Sequence, residues 1–442
     1  MQITEIEKLA INPHKLSLII LNSSGIERAE KMFFDRLAYR LMKTTDFCKL
    51  PLWFTKLLLQ SALLWPVQKA SATKKLLLFA VIMICCTFIK FGLLVTLTSK
   101  SSNIVESAAQ IRDITLILQA SVKIVFLYYN HKKFQPFINM ILNDFWPSNL
   151  FDEKSENRLK TFYNAVITMM ILNTMFSTAY CITVTVSALL KGEFQMDTIY
   201  PFLDYKSSPF YELNVMLQYV SLQYFCHVGI FGADFLFMSI CTCVISQYKL
   251  LCRALSAFGT DEMMEINEKL RGIGTDQLIG RNYGLHKEYF VRCVNHHRML
   301  LMLTENVNSI FSFMTFLTLT VCTAGVCTGV FTLSSLETIT VPMVLIIANY
   351  TMGFLTELFV YCIIGNEFYE EALLLPEFIF AGNWNEYANN GMTKDLKFMI
   401  HRSQSVSPLH AYGLYNINMD SFAKVLKLSF SVYTFLSTIK NK

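Results

Sequence analysis

The chain has 442 residues, of which 53% are apolar and only 16% are charged, and its formal net charge is +5. Charged residues normally supply about a quarter of a soluble chain, so this composition excludes a disordered protein and favours one that lies in lipid. The modest excess of basic residues forms no clustered face, and nucleic-acid binding therefore finds no support.

The cysteines and histidines do not indicate a metal site or a secreted disulfide framework. All twelve cysteines except Cys48 lie in or beside long apolar runs. The adjacent pair His296 and His297 has no cysteine partner at the spacing that zinc ligands need. We therefore expect no metal and no cofactor.

In chain order, several apolar segments are long enough to cross a bilayer, which takes roughly 20 predominantly apolar residues in a helix. Four are uncharged (162–190, 213–233, 306–336 and 338–356), and three weaker ones contain charges (76–98, 114–129 and 418–436). The uncharged runs show no alternation of polar and apolar residues, which favours helices over a transmembrane barrel. The sequence predicts an all-α membrane protein with four to seven spans, and we predict seven transmembrane helices.

The positions of Lys and Arg in the loops predict the orientation, because positive loops stay in the cytosol. With seven spans, the side opposite the N-terminus holds only Lys100, Lys191 and Lys206 in its loops. We therefore expect a cytoplasmic N-terminus and an extracellular C-terminus. This orientation argues against a G-protein-coupled receptor, as does the lack of a DRY-like triplet after the third span and of NPxxY in the seventh.

The spans divide the chain into six predicted parts. They are an N-terminal extension (1–47), the first four spans with an outer loop at 191–213 (48–246), a cytoplasmic connector and helix (247–301), the fifth and sixth spans (302–364), a cytoplasmic anchor region (365–411) and the seventh span (412–442). The Gly-containing stretch 256–284 is expected to be a flexible connector. The amphipathic segment that follows is expected to join a cytoplasmic helical bundle.

Ionisable residues within or near the spans are candidates for function. We expect Lys90 and Lys123, which interrupt the first and second spans, to be satisfied by pairing between helices, with Asp113 or Glu357 as the partners. Asp234 and Glu305 are instead expected in cytoplasmic extensions of their helices.

Several stretches resemble the insect odorant receptors over about residues 51–440. They are ADFLFMSICTCVISQYKLL with Asp234 and Gln247, AGNWNEY with Trp384, and a tail in which Arg402-Ser403-Gln404 is followed by Gly413-Leu414-Tyr415 and Phe422. The C-terminal SVYTFLSTIK lacks the QF ending of the related gustatory receptors, and the connector 247–301 is too short for the insertion of the family's shared co-receptor. The chain therefore resembles an odour-tuning subunit. A gustatory-type receptor channel and a G-protein-linked seven-helix receptor are the alternatives.

The resemblance implies the function and the partners. It implies an odorant-gated, non-selective cation channel in the membrane of olfactory neuron dendrites. The chain would form a heterotetramer with the odorant co-receptor, bind a small volatile apolar ligand in a pocket of its own, and line a shared central pore with its seventh helix.

Volatile ligands call for a dry, aromatic and sparsely polar pocket between helices. Three spans carry suitable side chains at helical spacing, namely Phe176, Tyr180 and Thr183 on the third, Met216, Tyr219 and Gln223 on the fourth, and Tyr350 and Phe354 on the sixth. Any one of them alone suits core packing or lipid contact better than ligand contact, and only the set indicates a pocket.

The seventh span carries the candidate pore residues. Lys424 and Lys427 share one face, where they would either line the inner mouth of a pore or extend to the cytosolic interface. Phe435 and Ile439, four residues apart near the outer end, resemble the hydrophobic gate of the family.

Overall fold

The computed structural model describes residues 49–68, 71–99, 104–151, 153–191, 207–271, 273, 284–334, 341–387 and 390–440. The predicted N-terminal extension (1–47) and most of the predicted outer loop (191–213) lie outside the described residues.

The first half of the described chain is helical. Its α-helices are α1 (Leu50–Ser61), α2 (Ala72–Ser99), α3 (Ile104–Asn143), α4 (Glu153–Lys191), α5 (Phe210–Tyr224) and α6 (Gly232–Ser256). A 3₁₀ turn at Ser148–Leu150 precedes α4, and a π-helical segment, Phe225–Phe231, joins α5 to α6. Helices α5 and α6 thus continue one into the other through a wider turn, a feature that often occurs at functional sites.

The second half adds seven helices and one short hairpin within the described residues. The helices are α7 (Glu262–Leu270), α8 (Leu285–Ser334), α9 (Val341–Leu373), α10 (Leu375–Ala381), α11 (Trp384–Tyr387), α12 (Asn390–Ser403) and α13 (Met419–Lys440). Strands β1 (His410–Ala411) and β2 (Tyr415–Asn416) pair antiparallel between α12 and α13. The reversal uses a left-handed backbone at Tyr412 (φ 52°) and Gly413 (φ 69°), and glycine adopts that conformation without strain.

The predicted helical membrane fold is confirmed. Helices α2, α3, α4, α5–α6, α8, α9 and α13 each overlap one of the seven predicted spans. Among the described residues, four stretches are long and apolar enough to cross a membrane by length and composition: Ala72–Thr98, His227–Ser256, Leu285–Ser334 and Ile347–Ala381.

The flexible connector predicted at 256–284 is wrong where the structure has α7. The sequence EMMEINEKL places Met263, Ile266 and Leu270 on one side of a helix, and all three side chains are buried. Apolar residues at this spacing are typical of a packed amphipathic helix. The glycines on either side of this segment favoured the prediction of a flexible connector.

Helix α6 is the centre of the described fold. Most residues of His227–Ser256 are buried, and α6 contacts α1, α8, α9 and α10. By contrast, few residues of Ala72–Thr98 are buried, and large apolar side chains such as Leu77 and Ile84 are exposed along it. A helix with this many exposed apolar side chains is suited to lipid rather than to water. The chain is a membrane protein.

Candidate ligand-binding cavity

A cavity of about 130 Å³ lies between α3, α4, the junction of α5 with α6, and α9. Its apolar and aromatic lining residues are Leu116, Phe176, Ile230, Phe231, Phe235, Met238, Tyr350, Phe354, Val360 and Tyr361. Its polar lining residues are Asn173, Ser177, Asp234, Asn349 and Glu357. An apolar cavity of about 150 Å³ is sufficient to bind benzene, so this one suits a compact organic molecule.

Two aromatic pairs at four-residue spacing form much of the wall, because such residues share one face of a helix. On α9, the rings of Tyr350 and Phe354 meet edge to face with their centroids 4.6 Å apart. At the start of α6, Phe231 and Phe235 stack at 5.4 Å. The rings restrain one another, and the cavity is therefore lined by ordered surfaces.

The position of the Phe354 ring depends on a close approach between α8 and α9. A Cβ atom built on Gly325 of α8 would lie 2.5 Å from Cδ2 of Phe354. One turn further along α8, a Cβ on Gly329 would lie 2.1 Å from Oγ1 of Thr351. Because these two glycines of α8 have no side chains, α9 can approach α8 closely. This close approach positions Phe354 in the cavity wall.

A buried ion cluster borders the cavity and joins three helices. The Nζ atom of Lys123 on α3 donates to Asp234 Oδ1 on α6 (2.5 Å) and to Glu357 Oε1 on α9 (2.6 Å). The Tyr361 hydroxyl also donates to Asp234 Oδ1 (2.7 Å), and Gln119 Nε2 donates to Glu357 Oε1 (2.7 Å). Buried ions are tolerated only when they are paired and hydrogen-bonded, so these contacts hold the three helices in register.

The sequence anticipated only part of this cluster. The predicted pairing of Lys123 with Glu357 is present, whereas the predicted pairing of Lys90 is wrong, because Lys90 forms no ion pair with the described residues. The prediction that Asp234 lies in a cytoplasmic extension is wrong, because its side chain is 5% exposed, bonded to Lys123 and in the cavity wall. The apolar sequence continues unbroken on both sides of Asp234, and its depth along the helix therefore could not be read from the pattern.

The eight candidate pocket residues separate into three groups. Phe176, Tyr350 and Phe354 line the cavity. Met216 does not, and it is 68% exposed on α5. The side chains of the remaining four, Tyr180, Thr183, Tyr219 and Gln223, lie outside the part of the chain that the structure describes.

Sequence reasoning missed several cavity residues. Asn173 lies three residues before Phe176 on α4, and Asn349 directly precedes Tyr350 on α9. The spacing of Asn173 from Phe176 was a usable signal, since residues three apart share a helix face. Nothing in the local sequence indicated Tyr361, which enters the site because it bonds Asp234.

The candidate pore residues lie on α13, apart from the cavity lining. Lys424, Lys427 and Phe435 are exposed on this helix, and the side chain of Ile439 lies beyond the described residues. The other face of α13 packs inward, where Phe422 and Val425 contact the apolar cluster that contains Tyr350 and Phe354.

Two of the residues that carry the family resemblance, Gln247 and Trp384, have structural roles. The Gln247 side chain of α6 accepts a hydrogen bond from Trp146 N (2.9 Å) and donates one to Trp146 O (3.0 Å). Trp384 stacks on Phe258 with ring centroids 3.6 Å apart. Both contacts tie distant segments together at buried positions.

Comparison with known proteins identifies the family. The family model described as 7tm Odorant receptor matches residues 111–430, which is more than half of the chain. The chain belongs to this odorant receptor family. The resemblance to insect odorant receptors drawn from the sequence is therefore confirmed.

Individual relatives in this odorant receptor family are distant. Odorant receptor 42a of Drosophila melanogaster is 24% identical over 279 residues, covering 63% of this chain and 61% of that protein. Odorant receptor 10 of Aedes albopictus is 22% identical over 335 residues, covering 74% of this chain and 82% of that protein. The chain thus matches less than two thirds of the length of the former.

The fold is also similar to that of a solved odorant receptor. The olfactory receptor OR5 from Machilis hrabei, determined in complex with eugenol, superposes with a TM-score of 0.72 at 15% identity. The match covers 89% of this chain and 100% of that one. At this identity the likeness establishes the fold.

Proposed function

We propose that the chain is the odour-binding subunit of a ligand-gated, non-selective cation channel. The observation that carries the proposal is the small cavity walled by Phe176, Tyr350 and Phe354. A pocket of this size and lining favours a compact, largely apolar ligand, because burial of apolar surface supplies most of the binding free energy of such a molecule. Membership of the odorant receptor family supports a volatile ligand.

The solved relative supports the same ligand class. Its structure was determined in complex with eugenol, a small aromatic compound. The two aromatic pairs in the cavity wall here suit a ligand with a flat apolar body, since offset and edge-to-face ring contacts are favourable.

A route from ligand to pore runs through α9. Tyr350 and Phe354 face the cavity and also belong to the apolar cluster that includes Phe422 and Val425 of α13. The ring of Phe359 on α9 lies 5.6 Å from that of Phe422. Close-packed side chains transmit displacement rather than absorb it. A ligand that moves Tyr350 or Phe354 would therefore move α13.

Helix α13 is proposed to line the pore. Its exposed lysines, Lys424 and Lys427, would lie at the inner mouth, and Phe435 with Ile439 would form a hydrophobic gate that closes by excluding water. Lysines do not favour cations, so selectivity would come from partner subunits. The exposed apolar residues of α13, among them Leu428 and Phe430, suit contact with other subunits or with lipid.

The remaining assignments follow from the same proposal. The chain assembles with the odorant co-receptor as a heterotetramer in the membrane of olfactory neuron dendrites. Its N-terminus lies in the cytosol and its C-terminus outside, as the loop charges favour.

Current recording tests the proposal. The chain is expressed with an insect odorant co-receptor, and the membrane current is recorded while a panel of volatile compounds is applied. We expect a cation current that requires both the chain and an odorant. A chain that reaches the surface and yields no gated current with any compound would contradict the proposed function.

A further inference from the structure

The charges beside the cavity do not balance. Lys123 supplies one positive charge, while Asp234 and Glu357 supply two negative ones, and the side chains of the three are 0%, 5% and 12% exposed. Among the described residues, no second cation contacts either carboxylate. Two buried carboxyl groups that share one cation are costly to ionise together, so a group that carries positive charge or donates a hydrogen bond would stabilise the site.

Asp234 carries the unmet hydrogen-bonding capacity. Its Oδ1 atom accepts from both Lys123 and Tyr361. Its Oδ2 atom is fully buried and accepts no hydrogen bond from any described residue. A buried carboxylate oxygen without a donor costs more than an unpaired neutral group. Asp234 is also a lining residue of the cavity, so a ligand bound there would lie beside its carboxylate.

Only some residues of the ion cluster can contact a ligand in the cavity. Asp234 and Glu357 line the cavity, whereas Lys123, which holds them both, is not among its lining residues. The polar end of the site is therefore an acceptor surface. Asn173 and Asn349 can donate or accept, and they do not select between ligand classes.

We propose that the receptor selects ligands that pair an apolar body with a hydrogen-bond donor, a hydroxyl or a protonated amine, and that this donor binds the carboxylate of Asp234. The apolar body packs against Phe176, Tyr350 and Phe354. This inference rests on the proposed function and narrows its ligand class to alcohols and amines over aldehydes, esters and hydrocarbons.

Matched pairs of volatiles test the selection. Benzyl alcohol and benzaldehyde have the same number of non-hydrogen atoms, but only the alcohol donates, and hexan-1-ol with hexanal forms an aliphatic pair. In the co-expressed channel, the donor of each active pair is expected to activate at a concentration roughly 10- to 100-fold lower, as a hydrogen bond to a charged acceptor requires. Equal activation, or preference for the aldehydes, would overturn the inference. A channel silent to the whole odour panel would instead overturn the proposed function.

Two matched variants test the assignment to Asp234. Asp234→Asn and Glu357→Gln each remove one of the two carboxylates on Lys123 and leave the other to pair with it. Asp234→Asn should abolish or reverse the alcohol preference, because its amide can donate to an aldehyde, while Glu357→Gln should retain it. Loss of preference in Glu357→Gln alone would refute the role of Asp234. Surface labelling identifies channels that reach the membrane.

Discussion

The ring of Phe354 lies directly against the backbone of Gly325, so closely that a methyl group on that glycine would stand 2.5 Å from the ring. One face of this ring therefore meets α8, while Phe354 also lines the cavity. Helix α8 thereby helps to define the shape of a cavity that none of its own residues lines.

Gly325→Ala is expected to push the Phe354 ring toward the cavity and to reduce its volume. Extra methyl groups in packed interiors cost about 1–3 kcal/mol, so the concentration of odorant that activates the channel should rise roughly tenfold, most for the largest ligands. Concentration–response curves for a series of ligands of increasing size measure the effect.

Gly284→Ala is the control for that substitution. A Cβ atom on Gly284 would meet no other atom within 4 Å, and the residue lies outside the cavity lining. Its responses should match those of the parent chain. A uniform loss of response to ligands of every size in Gly325→Ala would argue against a steric effect on the cavity.

Lys123→Met should destabilise the fold, because it leaves Asp234 and Glu357 buried without their cation. Removal of one partner from a buried ion pair typically costs about 3–5 kcal/mol. The midpoint of thermal unfolding should fall markedly. It is measured in detergent by size-exclusion chromatography after heating. Further substitution with Asp234→Asn and Glu357→Gln should recover much of the loss, since no charge then remains unpaired.

Lys90→Met provides the comparison on α2. Lys90 is only partly buried and forms no ion pair with the described residues, so its substitution should leave the unfolding midpoint nearly unchanged. Equal losses in the two variants would mean that the ion cluster contributes no specific stability.

Gln247→Leu tests the bond between α6 and the segment that precedes α4. It would leave the buried N–H and C=O groups of Trp146 without their partner, at a cost of about 1–3 kcal/mol for each group. A lower unfolding midpoint is expected. Gln404→Leu, at an exposed position, should have little effect, and a similar fall in both variants would speak against the bidentate contact.

The sequence was sufficient for the architecture and for one ion pair. Long uncharged runs identified the helices because a bilayer excludes charge, and Lys123 stood out because it interrupts such a run. A buried lysine needs a carboxylate on another helix, so Glu357 could be named as a partner.

The cavity itself could be predicted only in part. Helical spacing places Phe176 and Met216 on faces of their own helices, but it does not determine which face turns toward a neighbouring helix. The structure turns Phe176 to the cavity and leaves Met216 exposed. Asp234 was missed for the same reason, since its contact with Lys123 joins residues 111 apart in the chain.

Glycosylation mapping tests the orientation. Asn22-Ser23-Ser24 is an acceptor sequence on the side predicted to be cytosolic, and it should stay unmodified in a eukaryotic cell. Met196→Asn, which precedes Asp197-Thr198 in the predicted outer loop, should add a glycan. A glycan at Asn22 and none from Met196→Asn would reverse the orientation and with it the channel assignment.

The most direct measurement compares odorant-gated currents from Tyr350→Ala and Met216→Ala channels at equal surface density. Tyr350 is 7% exposed in the cavity wall, whereas Met216 is 68% exposed away from it. If ligands bind in this cavity, Tyr350→Ala should change the activating concentration at least about tenfold and shift the preference toward larger ligands, because truncating a large buried side chain enlarges the site. Met216→Ala should respond as the parent does. Unaltered ligand preference in Tyr350→Ala, or an equal change in both, would contradict the assignment of the cavity as the odorant site.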